Sequence, residues 1–125
     1  MTKAIVVSDA RTCDAGEHRP KATARQPGQT TESSRTVWES AEGIRSGVWE
    51  VTPGTFDSTR VGYHELCQIV SGRATITEPD GTSFEIAPGS LFITPEGWVG
   101  TWEVHETLRK TWVVIPFEVL SAHVG

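Results

Sequence analysis

The stretch GTFDSTRVGYHELCQIVSGRATITEPDGTSFEIAPGSLFITPEGWVGTWEV (residues 54–104) decides the fold. Its punctuation is dense: Pro53-Gly54, Ser71-Gly72, Pro79-Asp80-Gly81, Pro88-Gly89 and Pro95-Glu96-Gly97 put a fixed or positive φ wherever the chain must reverse. From Gly47 onward such signals recur about every eight to twelve residues, the rhythm of a small antiparallel barrel or sandwich. Expected strands are Val48 to Thr52, Val61 to Val70, Ala74 to Glu78, Ser83 to Ile86, Leu91 to Thr94, Gly100 to His105 and Leu108 to Ile115. Asp80-Gly81 reads as the tip of a tight hairpin. No interior stretch carries the period of a long amphipathic helix.

Outside this stretch the chain is uneven. All five Trp, all four Phe and the single Tyr lie between Val37 and Phe117, so the large apolar side chains of a core are confined there. Residues 1–36 carry a charge of +2 and the remainder −7, giving the −5 of the whole chain. Ala4 to Val7 could form one short strand, but Ser8 to Thr36 is polar, contains Pro20 and Pro27 and has no sustained period. The expectation is an irregular arm over residues 1–36, either disordered or lying along a partner subunit, followed by one domain over 37–125. A chain of 125 residues suits a single core.

Several classes of function are disfavoured. An acidic body lacks the basic face that nucleic acid requires. No apolar run approaches the ~18 residues of a membrane span, and the N-terminus has no signal-peptide pattern. Cys13 and Cys67 are too few for a disulfide scaffold, and Cys67, in an apolar run, reads as a small packed hydrophobe. A cytoplasmic protein is the simplest expectation.

Two spacings in the deciding stretch carry a resemblance. Glu65 is followed after six residues by Gly72, and Gly89 after five by Pro95, Glu96 and Gly97. These frames resemble the two sequence motifs of the cupin superfamily. GVWE (47–50) with Pro53-Gly54, and TWEVHETLRKTWVVI (101–115), are most similar to the subgroup related to ureidoglycine aminohydrolase and the ethanolamine-utilisation cupin. The resemblance implies an all-β fold, a double-stranded β-helix or jelly-roll barrel, and agrees with the turn rhythm. In metal-binding cupins the first motif holds two His ahead of its Glu, and the second a His after Pro-x-Gly. Here those positions fall on Thr59 and Val61, or Ser58 and Arg60 in the longer spacing, and on Gly100. Only Glu65 remains of four ligands, so no metal cofactor is expected; the alternative is a divalent metal at Glu65 with unorthodox partners.

Alternation puts Tyr63, Glu65, Cys67 and Ile69 on one strand face and His64, Leu66, Gln68 and Val70 on the other. With Glu65 in the cupin orientation, the first set lines the interior. A carboxylate there needs a cation, a donor or its own proton. Metal, a neighbouring Lys or Arg, protonation, or bonds from Tyr63 or the backbone could each meet that need. Lys110 shares a face with Trp112 and Val114 and is the candidate interior cation, an exterior position being the alternative. Trp98, Gly100 and Trp102 share another face, with Trp102 expected to enter the space an imidazole would use, whether as a ligand wall or as core packing. Glu65, Lys110 and Tyr63 are therefore the candidate catalytic groups, and Trp102, Trp98, Gly100 and Cys67 the candidate ligand contacts.

The expected function is binding of a small polar metabolite inside the barrel, with acid/base chemistry as an option. A non-enzymatic binding or assembly module is the first alternative, and a metal-dependent hydrolase like ureidoglycine aminohydrolase the second. A homodimer is the expected partner state, since pairing covers exposed strand edges.

Overall fold

The computed structural model describes residues 1–118 and is built almost wholly of strands: β1 Arg19–Pro20, β2 Thr31–Glu39, β3 Arg45–Val51, β4 Gly54–Thr59, β5 Tyr63–Thr77, β6 Ser83–Ile86, β7 Leu91–Thr94 and β8 Val99–Pro116. The expected domain ran to residue 125; residues 119–125, His123 among them, lie outside the described residues. Every pairing is antiparallel.

Two long strands organise the barrel. The C-terminal half of β8 lies between β3 and the N-terminal half of β5, with β2 beyond β3 and β7 beyond β5. The N-terminal half of β8 lies between β4 and the C-terminal half of β5, with β6 beyond. Two sheets thus share β5 and β8, the jelly-roll arrangement expected from the sequence.

Both shared strands were expected as pairs of separate strands broken near Ser71-Gly72 and at Glu106-Thr107. They run through instead. Gly72 does not reverse the chain; its φ of +84° is absorbed in a bulge where the register against β8 shifts between Ile69 and Ala74. A Cβ at Gly72 would stand 2.2 Å from the Thr107 carbonyl oxygen, so only glycine fits this close crossing. The bulge also changes the parity of β5. Glu65, Cys67 and Ile69 point inward before it, Ala74 and Ile76 after it.

The N-terminal segment departs from expectation in a second way. Ala4 to Val7 forms no strand, whereas β2 crosses the expected boundary at residue 36 and pairs with β3 from Glu32 to Glu39. Its sequence TESSRTVWE lacks clean hydrophobic alternation because Glu32, Ser34 and Thr36, on one face, line an open cavity instead of an apolar core, so its main-chain bonds to β3, and not an apolar pattern, place it. Among the described residues the longest irregular stretches lie before β1 and between β1 and β2, and the later strands are joined by short turns.

Aromatic rings fill the centre. Trp102, 1% exposed, stacks on Phe56 at 5.6 Å and meets Trp49 and Phe92 edge to face at 5.8 and 5.5 Å. Among the described residues no helix is long and apolar enough to cross a membrane.

Candidate functional site

Glu65 enters the interior from β5 and is 8% exposed. Two cations meet the same carboxylate oxygen. Lys110 Nζ, from β8, donates to Oε1 at 2.6 Å, and Arg60 Nη2, from the turn after β4, donates to it at 3.1 Å. Both cations are themselves buried. Burial opposes ionisation of Glu65, yet the charges of Lys110 and Arg60 outweigh it and hold the carboxyl below the usual carboxylate range.

Arg60 is fixed by its surroundings. Its Nε donates to Thr94 Oγ1 at 2.9 Å, and its Nη1 to Ser58 Oγ at 2.6 Å and to the Thr59 carbonyl at 3.2 Å. Its main chain is clamped to the turn before β8, accepting from Gly97 N–H and donating to the Trp98 carbonyl. The guanidinium lies between the rings of Tyr63 and Trp98, 5.9 and 5.7 Å from their centroids. Sequence reasoning did not nominate Arg60, though it marked that position as one of the displaced ligand sites. An arginine where a ligand histidine would stand was the available signal.

Lys110 has a second set of neighbours. Its ammonium lies 4.4 Å from the Trp49 ring centroid and 5.1 Å from that of Trp102, so π faces take up donors the carboxylate leaves free. Thr59 is exposed, and the space over Gly100 is taken: a Cβ there would stand 2.3 Å from the Trp98 ring. Trp98 therefore fills the position expected for Trp102. Its indole N–H is tied to Glu78 Oε2 at 3.0 Å, which holds the ring in place. The Trp102 indole N–H is buried and has no protein partner among the described residues.

The remaining candidates separate from this centre. Tyr63 does not bond Glu65; its hydroxyl reaches the Thr59 carbonyl at 3.5 Å. Cys67 is buried, and its thiol donates to the Phe92 carbonyl at 3.2 Å. Burial pushes that thiol up, with the Glu65 charge adding to the effect against Lys110, so it stays a neutral packed group. His64 accepts from Glu96 N–H at 3.0 Å outside the cavity.

An open cavity of about 310 Å³ lies over the centre, with Glu65, Lys110 and Arg60 in its lining, walls of Trp49, Phe56, Trp102 and Trp112, and Tyr63. Neither Cys67, Trp98 nor Gly100 lines it. Arg109, beside Lys110 on β8 and so on the opposite face of the strand, is also buried, because the N-terminal segment folds over it: Nη1 donates to the Ala10 and Cys13 carbonyls, and Nε and Nη2 reach Glu50 at 3.3 and 3.2 Å.

The metal of other cupins does not fit these residues. Two cations already occupy the one carboxylate, Arg60 stands at a ligand position, and the Trp98 ring closes the other at Gly100. Among the described residues no three His, Cys, Asp or Glu converge on a common point.

This fold with a Glu65-centred cavity defines a cupin-type jelly roll. The EutQ-like cupin domain matches residues 38–112, more than half of the chain, and the protein belongs to that family. Similar solved structures include EutQ from Clostridium difficile (22% identity, TM-score 0.62, covering 70% of each chain). A putative ethanolamine utilization protein Q from Salmonella typhimurium is 13% identical, with TM-score 0.58, covering 81% of this chain and 98% of that one. A Rhizobium leguminosarum protein is 19% identical, with TM-score 0.62, covering 93% and 98%. At these identities they establish the fold. Comparison with curated proteins gives no significant match.

Proposed function

We propose that this cupin domain binds a small polar metabolite in the barrel cavity, and does so without a tightly bound metal. The observation that carries this reading is the buried Glu65 carboxylate, balanced by Lys110 and Arg60 beneath an open cavity with aromatic walls. Small-molecule sites combine such apolar walls with a few fixed polar groups, and this volume is at the small end of their range. The geometry favours binding over acid/base chemistry: a carboxyl held low by two cations is a weak base, and it has no proton to give near neutral pH. The free thiols of Cys13 and Cys67 suit a reducing compartment such as the cytoplasm.

A thermal-shift screen of polar metabolites tests the reading. Ser34 lines the cavity without touching Glu65, so Ser34→Trp should plug it and leave the floor intact. Ligands should raise the Tm of the wild type and not of S34W. A library that stabilises neither protein, or both equally, contradicts a site in the cavity.

Assembly is a second reading, favoured by Leu91 and Ile93. They lie exposed on β7, which pairs with β5 on one side only among the described strands. A homodimer would cover that edge. Light scattering over a range of concentrations should give the dimer mass; a constant monomer mass contradicts it.

A further inference from the structure

Resting on the cavity-binding reading above, we infer that the ligand is a small organic anion, an ionised carboxylic acid whose head meets the cationic lining. Six charged side chains line the cavity, four of them positive (Lys21, Arg45, Arg60, Lys110) and two negative (Glu32, Glu65). The pocket therefore carries +2 within a chain of −5. That concentration of positive charge runs against the bulk of the protein, and a concave wall of low dielectric strengthens its field.

The pairing locates the surplus. Lys21 meets Glu32 at 3.2 Å and cancels it. Glu65 cancels only one of Lys110 and Arg60, leaving one positive charge at the floor. Arg45, exposed on β3, has no carboxylate partner among the described residues and supplies the second at the cavity lining. Glu32 also accepts from the Trp49 indole N–H at 2.9 Å, so each acid of the lining already has a cation as its partner. Aromatic walls suit the uncharged body of an organic acid better than a bare inorganic ion.

Ligand-observed NMR with a fragment library of matched triplets, each carboxylic acid with its own amide and amine, tests the inference, with inorganic phosphate as a further probe. Acids should dominate the hits, their binding should weaken as NaCl rises, and Arg45→Gln should reduce their affinity by about tenfold while leaving the amides unchanged. Arg45 is exposed, so the variant keeps the fold. Preference for amides or amines overturns the anion while leaving the cavity reading in place. Phosphate binding without the acids overturns the organic acid, and acids held equally by R45Q place the anion away from this lining. No hit from any triplet overturns both inferences.

Discussion

Lys110 Nζ and Glu65 Oε1 stand 2.6 Å apart inside the barrel, and Arg60 Nη2 meets the same oxygen at 3.1 Å. Removing one partner of a buried ion pair leaves an uncompensated charge. Glu65→Gln, which strands both cations, should therefore cost about 3 kcal/mol of folding stability, and Lys110→Met, which leaves the Arg60–Glu65 pair in place, less. Glu65→Gln with Lys110→Met should cost less than the two changes summed, with a coupling of about 1–3 kcal/mol. Urea denaturation of the four proteins measures it; strict additivity would separate the two residues energetically.

Acid should weaken the fold through the same group. The Glu65 carboxyl is lower in the folded protein than in the unfolded chain, so the unfolded state takes up protons first. Its contribution should be complete above about pH 4.3, the ordinary carboxylate value, and be lost as pH falls through the lower folded value. Glu50 should act in the same sense: burial alone would raise it, but His18 and Arg109 together hold it low. Stability of the wild type against E65Q from pH 7 to 3 checks this. A difference that grows on acidification contradicts it.

The cupin frame was legible because glycine and proline mark turns whatever fills the cavity. Gly89 and Pro95-Glu96-Gly97 bound the short β7, and the Gly72 signal was real although its use was misread. A positive φ is common to a reversal and a bulge, and which one forms depends on whether the flanking segments pair with one strand or two. Here β8 pairs with both. The inward set Glu65, Cys67 and Ile69 followed from alternation once Glu65 was given the cupin orientation. Arg60 did not, because it lies in a turn where alternation says nothing and its direction is set by Ser58, Thr94 and the Gly97–Trp98 main chain. Trp98 was a candidate ligand contact, but its place over Gly100 escaped for a similar reason: it precedes β8, so its ring folds back over Gly100 instead of following the strand.

Restoring a histidine at Gly100 should not restore a metal. The Trp98 ring occupies the place of its Cβ, and two cations remain on Glu65. Gly100→His should destabilise by about 1–3 kcal/mol, as overpacked sites do. Metal analysis after incubation with Zn²⁺ or Mn²⁺ should find less than one equivalent, and a stable variant carrying one equivalent would contradict the arrangement.

Two glycines separate conformational strain from collision. Gly72 and Gly81 have similar positive φ, +84° and +90°, but only Gly72 faces the Thr107 carbonyl, with nothing within 4 Å at Gly81. Gly81→Ala should cost about 1 kcal/mol and Gly72→Ala clearly more, because Ala at Gly72 must also push β8 away. Equal losses on denaturation would mean that the β5–β8 crossing is looser than described.

The most direct measurement follows the Glu65 side-chain carboxyl carbon by ¹³C NMR from pH 7 to the acid limit of folding, in protein stripped of metal by chelation. A carboxylate held by Lys110 and Arg60 should stay ionised below the ordinary carboxylate range, and in K110M its midpoint should move upward. Titration of Glu65 at or above the ordinary value in the wild type would contradict the account, because the two cations would then not be what balances the buried carboxylate.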